Sequence, residues 1–201
     1  LEFRRVLFRS NSFSDCTTHW AKGYIAYATK TGILAGVGNG LFKPESSVTG
    51  TQAAKMLLCA LGYDAGAEGY TGTSWAVNTL ADAKSVGLLK GLNNVDMSAA
   101  LSREAAAQMM FNALKADMVE YDRGNTTITS GDSTIVIGGS AAKKVENNDF
   151  DYRTVNGDKD KVMQLCENYF EDLTCKATGS DSFGRPGNEW KYGKDTRSEE
   201  R

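Results

Sequence analysis

Residues 48–61 read Val48-Thr49-Gly50-Thr51-Gln52-Ala53-Ala54-Lys55-Met56-Leu57-Leu58-Cys59-Ala60-Leu61, and residues 101–114 read Leu101-Ser102-Arg103-Glu104-Ala105-Ala106-Ala107-Gln108-Met109-Met110-Phe111-Asn112-Ala113-Leu114. Both stretches pass from an apolar residue to a hydroxyl and then to apolar residues at helical spacing. In the first, Thr49 with Gln52 three residues on is a capping box, and Val48 and Ala53 stand where a hydrophobic staple would be. In the second, Ser102 is the cap and Leu101 the staple. The spacing predicts buried stripes of Met56, Leu57, Ala60 and Leu61 in one helix, and of Met109, Met110, Ala113 and Leu114 in the other. Gly62 closes the first helix.

Working outward, the two helices belong to a longer repeat. His19-Trp20-Ala21 falls on Ser74-Trp75-Ala76 at an offset of 55, and Gly32-Ile33-Leu34-Ala35-Gly36 falls on Gly87-Leu88-Leu89-Lys90-Gly91 at the same offset. A two-residue contraction then brings Val48-Thr49-Gly50 onto Leu101-Ser102-Arg103. Several motifs in one order at near-constant spacing define an internal repeat. Each copy reads as helix, Gly-rich loop, helix. In the first copy Thr17 or Thr18 caps a helix through about Lys30, with Trp20, Tyr24, Tyr27 and Ala28 at helical spacing. Gly32 stops that helix, Gly36-Val37-Gly38-Asn39-Gly40 makes a tight turn, and Pro44 ends an extended stretch. One helix pair buries little surface, so the two copies are expected to pack on each other.

Composition narrows the function classes. The 201 residues carry 23 Lys+Arg against 25 Asp+Glu, a net charge of −2, which argues against nucleic acid as the main partner. A hydrophobic share of 41% with 24% charged residues is that of a globular chain rather than a disordered one. No apolar run approaches the roughly 18 residues of a membrane span. A single His leaves little for His-based metal or acid–base schemes. No cofactor is expected.

Both ends read as foreign. Residues 1–10 and 196–201 hold five of the arginines (Arg4, Arg5, Arg9, Arg197, Arg201) and look like translated read-through. The arginines of the first tail are spread along it with no apolar stretch following, so a secretory signal fits poorly. The natural protein is expected to extend beyond both ends.

Phe13-Ser14-Asp15, His19-Trp20-Ala21, the Gly-Ile-Leu-x-Gly stretch, Gly38-Asn39-Gly40-x-Phe42-x-Pro44 and Val48-Thr49 together resemble the S-layer homology (SLH) module. The second copy, through Leu101-Ser102-Arg103-Glu104-Ala105, is similar to a divergent module. The resemblance covers about residues 13–121, and implies one module over 13–64 and another over 70–121. It implies a mainly α fold: tandem helix-loop-helix repeats packed in a pseudo-symmetric bundle, followed by a smaller mixed α/β segment over 122–195. SLH modules usually come in threes, so a lost upstream module is expected. The implied partner is the secondary cell-wall polysaccharide attached to peptidoglycan, often pyruvylated. The implied location is extracellular, at the cell wall or S-layer, with self-association as a further possibility.

The residues expected to meet the polymer are Asp15, Trp20, Trp75, Ser102 and Arg103. Arg103 opens a helix, where free N–H groups already favour an anion, and its guanidinium adds bidentate pairing to a carboxylate. Trp20 and Trp75 offer flat apolar faces for a sugar ring, with core packing as the competing reading. Asp15 accepts from hydroxyls or only fixes the entry loop. Gly50 stands where the family has Arg, and Tyr70-Thr71-Gly72 and Leu92-Asn93-Asn94 replace the expected opening and turn of the second copy.

Other features read as background. His19 beside Trp20 is a packing residue. The Gly36–Gly40 loop follows a helix rather than a strand and is no nucleotide loop. Asn156-Gly157-Asp158-Lys159-Asp160 with Glu167 only faintly echoes a calcium loop, having Lys161 where Gly is needed. Cys59 reads as a small apolar residue, and Cys166 and Cys175 either pair or stay reduced. Downstream, Thr126–Ile137 predicts a hairpin around Ser130-Gly131-Asp132. Asp160–Leu173 predicts an amphipathic helix bearing Val162, Leu165, Cys166, Tyr169, Phe170 and Leu173. Asp181–Pro186 with Trp190 and Tyr192 predicts a turn-rich segment. No catalytic constellation is visible. The expected function is non-enzymatic anchoring to the wall, with the targeting part of a truncated exoenzyme (a glycoside hydrolase or amidase) or a lattice protein as alternatives.

Overall fold

The computed structural model describes residues 13–121, 126–130, 133–137, 141–147, 161–170, 173–180, 183–193 and 195–200. A 3₁₀ turn at Ser14–Cys16 leads into helix α1 (Lys22–Lys30), which starts later than the sequence predicts. Neither Thr17 nor Thr18 caps it. The Thr17 hydroxyl is spent on the Ser14 carbonyl, and the N-cap is Ala21, whose amide donates to His19 Nδ1 at 3.2 Å. With Nδ1 accepting, the ring proton sits on Nε2, which meets Glu45 at 2.7 Å. Helical periodicity splits α1 into two faces. Ile25 joins Phe13, Cys16, Ala21 and Phe42 in a small apolar cluster, while Trp20, Tyr24 and Tyr27 point outward. Trp20 is 82% exposed, so its competing reading as a core residue is overturned.

Gly32 at φ +78° ends α1 as expected. The Gly36–Gly40 loop is the predicted tight turn: the Val37 amide donates to the Leu41 carbonyl at 2.9 Å, and the Leu41 amide returns to Gly38 at 3.0 Å. Gly36 is required there, because a Cβ would run into the Phe13 ring and stand 2.8 Å from the Leu41 carbonyl.

Helices α2 (Gly50–Ala60), α3 (Trp75–Ser85) and α4 (Arg103–Leu114) form the main core. The capping box exists in full: the Thr49 hydroxyl accepts from the Gln52 amide at 3.3 Å and the Gln52 side chain accepts from the Thr49 amide at 2.9 Å. Ser102 caps α4 by accepting from the Ala105 amide at 3.1 Å. The buried stripes are rotated from the predicted ones. In α2 they are Thr51, Ala54, Leu58 and then Leu61, with Met56, Leu57 and Ala60 half-buried. In α4 they are Ala105, Met109, Asn112 and Ala113, leaving Met110 exposed. The cause is the partner. α2 packs chiefly on α3 of the next copy and then on α4, rather than on α1 of its own copy. The copies therefore do pack on each other, and the second lends the first its core.

The joint is made by backbone. Leu101 donates to the Val48 carbonyl, and Thr51 donates to Met97 through its amide at 2.8 Å and its hydroxyl at 2.9 Å. Buried Asn112 donates to the carbonyls of Leu88 (2.9 Å) and Lys90 (2.8 Å), tying α4 to the loop after α3.

Beyond α4, β1 (Val119–Glu120) leaves the core where the Val119 amide meets the Leu61 carbonyl. The predicted hairpin is present as β2 (Thr126–Ser130) paired with β3 (Ser133–Ile137), Ser130 opposite Ser133. Strand β4 (Lys143–Lys144) pairs with β1, and residues 161–164 add to them: Met163 accepts from Met118 and donates to Val145. This pairing corrects the helix expected over 160–173. Residues 161–164 are extended, and the helix is only α5 (Leu165–Tyr169), opened by the box between Gln164 and Glu167. Of the expected turn-rich segment, 183–185 is a turn, but it joins strands: β5 (Leu173–Ser180), β6 (Pro186–Tyr192) and β7 (Asp195–Glu200) form an antiparallel sheet. Trp190 and Tyr192 are strand residues, and β7 takes in most of the 196–201 tail. Buried Cys166 is described, but the Cys175 side chain, residues 1–10 and the calcium-like 156–160 stretch lie outside the described residues. The fold is mainly helical, with small antiparallel sheets in its C-terminal part.

Candidate functional site: two repeat-related grooves

A groove of about 620 Å³ runs between the Gly-rich loop of the first copy, α2 and the start of α3. Phe42, Lys43, Gln52, Lys55, Met56 and Trp75 are among its walls. Lys55 Nζ donates to the Tyr70 carbonyl at 2.6 Å and sits 5.8 Å from the centre of the Trp75 ring. Tyr70, fully buried, sends its hydroxyl to Asp82 at 2.8 Å. Burial, then that carboxylate, push its phenol far above the ordinary value, so Tyr70 stays a neutral donor. The walls of the groove thus include a half-buried indole and two lysines. An ammonium near a sugar carboxylate and a ring over an apolar sugar face are complementary to an acidic glycan.

Asp15 does not line this groove but holds the backbone of two of its wall residues. Its carboxylate accepts the Phe42 amide at 3.1 and 3.2 Å and the Lys43 amide at 2.7 Å. Partial desolvation pushes the carboxyl up, but the amides of Lys43 and Phe42, with the Cys16 thiol, more than reverse this and hold it below its ordinary value.

A second groove of about 550 Å³ lies along α4, with Gly91, Leu92, Ser102, Glu104, Gln108 and Phe111 in its walls. Gly36, Val37 and Lys55 of the first groove correspond by the repeat to Gly91, Leu92 and Gln108 of the second. Arg103 is exposed at the first position of α4, between the wall residues Ser102 and Glu104. Its counterpart Gly50 is buried under Met97, and the first turn of α2 already gives amides to the carbonyls of Met97 and Ala99. No anion can approach that helix end.

The five residues expected at the site are therefore not gathered. Trp75 walls the first groove, Ser102 and Arg103 stand at the second, Asp15 acts on Lys43, and Trp20 lies exposed in the turn before α1. The sequence does not single out Lys43 or Lys55: Lys55 lies inside the repeated helix motif, and Lys43 is brought to the groove by a backbone turn that local sequence does not specify. Among the described residues no cluster of three or more His, Cys, Asp or Glu could hold a metal ion, and no helix is long and apolar enough to cross a membrane.

The family model of the S-layer homology domain matches residues 12–54. The chain is 34% identical over 119 residues to the "Cell surface protein" of Thermoanaerobacter kivui, covering 59% of this chain and 15% of that one. It is 28% identical over 120 residues to the "Middle cell wall protein" of Brevibacillus brevis, covering 59% and 11%. It is 27% identical over 157 residues to the "Surface layer protein" of Brevibacillus choshinensis, covering 76% and 13%. The chain spans only 11 to 15% of the length of these relatives. No solved structure matches it significantly. The family match and the names of these relatives make the chain similar to proteins of the bacterial cell wall and surface layer.

Proposed function

We propose that this chain is the anchoring part of a bacterial surface protein, built of two tandem SLH modules over 13–64 and 70–121, and that it binds secondary cell-wall polysaccharide without catalysing a reaction. The observation that carries this reading is the groove between the copies, whose walls include Lys43, Lys55 and Trp75, with the Lys55 ammonium 5.8 Å from the centre of the indole ring. The ammonium groups of Lys43 and Lys55 suit the carboxylate of a pyruvylated or otherwise acidic sugar, and the indole suits its apolar face. Arg103 extends the cationic character to the start of α4, where the helix end favours an anion.

Co-sedimentation of the full chain with purified Gram-positive-type wall sacculi, before and after the secondary polymer is stripped, tests the reading. Binding should require the polymer. Lys55→Ala and Trp75→Ala should each weaken it about tenfold, the effect of roughly 1.4 kcal/mol, and Arg103→Ala should weaken it less. A folded protein that ignores the polymer would sink the proposal.

A second reading, a lattice protein held by self-association, draws on the outward ring face of Trp20, Tyr24 and Tyr27. It requires a concentration-dependent solution mass at micromolar protein, where the anchor reading requires a monomer.

A further inference from the structure

His19 is the single histidine of the chain, and both nitrogens of its ring are engaged. Nδ1 accepts the Ala21 amide at 3.2 Å, at the N-cap of α1. Nε2 meets Glu45 at 2.7 Å, in the loop whose residues Lys43, Pro44 and Ser46 wall the first groove. The ring therefore joins the start of a helix to the wall of a groove. The His19 side chain is 15% exposed and that of Glu45 86%, so the carboxylate can follow the ring when it turns. Among the described residues Glu45 is the charged group that meets the imidazole. Asp15, on the 3₁₀ turn before it, is committed to the amides of Phe42 and Lys43, and Lys22, on α1, donates to the Thr17 carbonyl.

The two bonds respond in opposite ways to a proton. A neutral imidazole has one donor and one acceptor, and here both are used. An imidazolium has two donors and no acceptor, and no flip of the ring restores one, because both nitrogens then carry hydrogen. The bond to Glu45 becomes a full charge pair, whereas the Ala21 amide is left facing an N–H. The imidazolium also stands at the start of α1, the helix end that repels a cation.

We propose that His19 is a proton-operated latch. Neutral, it fastens the start of α1 to the groove loop; protonated, it keeps the loop through Glu45 and lets go of α1. Asp15, whose carboxyl is held below its ordinary value, stays ionised and keeps the amides of Phe42 and Lys43. The groove wall thus holds while the turn carrying Trp20, whose ring centre lies 5.6 Å from that of His19, is released. The latch is a property of the fold and does not depend on the anchor reading.

One histidine gives one set of ring signals in the full chain. Two-bond nitrogen–proton spectra of the neutral ring should show the proton on Nε2 and none on Nδ1. As the pH is lowered from about 8 to about 5, the range in which imidazoles change charge, protection of the Ala21 amide against exchange should fall in step with ring protonation. The fall should be about fivefold, the effect of one neutral hydrogen bond. The Lys43 amide, held by Asp15, should keep its protection. His19→Gln, which cannot titrate, should make Ala21 protection independent of pH. Glu45→Gln should leave the loss at Ala21 in place, since the second ring proton causes it and not the carboxylate. A proton on Nδ1 of the neutral ring, or Ala21 protection unmoved while the ring titrates, would overturn the latch. Parallel loss at Ala21 and Lys43 would overturn it as well, marking a general loosening by acid.

Discussion

The carboxylate of Asp15 holds the amide of Lys43 at 2.7 Å, in a residue whose backbone sits at φ +61°. A lysine in the left-handed region is strained by about 1 kcal/mol or more, and the acceptor supplied by Asp15 is what keeps it there. Because the folded state lowers the Asp15 pKa, the contact contributes stability above the ordinary value of 3.8 and loses it as pH falls through that value and on through the lower folded one. The urea midpoint of the unaltered chain should therefore fall more steeply on acidification than that of Asp15→Asn. Lys43→Gly separates the two roles of Lys43. It should leave the fold as stable, or more stable by up to about 1 kcal/mol, while weakening polymer binding.

Gly50→Ala tests the joint between the copies. Helix propensity alone predicts a gain of about 1 kcal/mol for Ala over Gly inside a helix. The contact predicts the opposite, since a Cβ at Gly50 would stand 2.5 Å from the Met97 sulfur and 2.9 Å from its Cα. Overpacking of this kind costs about 1–3 kcal/mol. A net loss in urea denaturation is expected, and a gain would mean that the 96–100 loop does not rest on α2.

Two glycines of similar conformation should respond very differently. Gly62 lies at φ +105°, and its Cβ would collide with the Val119 carbonyl, which accompanies the amide bonded to Leu61. Gly87 lies at φ +82° with open space around it. Gly87→Ala should cost about 1–2 kcal/mol, the left-handed penalty alone. Gly62→Ala should cost about 2–4 kcal/mol, strain plus overpacking, and should free the chain after α4 as seen by faster amide exchange at Val119.

Asn112→Leu should destabilise by about 2–4 kcal/mol, because it strips donors from two carbonyls inside the core, those of Leu88 and Lys90. Ser102→Ala, by contrast, removes one cap bond at an exposed helix end and should cost about 1 kcal/mol. Thermal melts of the two variants should rank in that order.

Local chemistry in the chain is enough to specify the second helix of each copy, the Thr49–Gln52 box, the Ser102 cap, the stops at Gly32 and Gly62, and the hairpin over 126–137. Each depends on residues within a few positions of one another. The faces those helices bury were decided elsewhere. Helical periodicity marks Met56 and Met110 as well as Leu58 and Met109, and only the packing of α2 on α3 and α4 selects among them. The same holds for the expected helix over 160–173. Its apolar spacing is real, but the backbone flanking β1 and β4, at residues 117–118 and 145–147, claims residues 161–164 as an extended segment. The site divides along the same line. Trp75 and Arg103 stand out in the sequence because Trp75 repeats Trp20 at the offset of 55 and Arg103 follows the Ser102 cap. Lys43, Lys55 and the reach of Asp15 become visible only in three dimensions, because a groove is a relation between segments distant in the chain, and hydrogen bonds to backbone leave no pattern in the order of side chains.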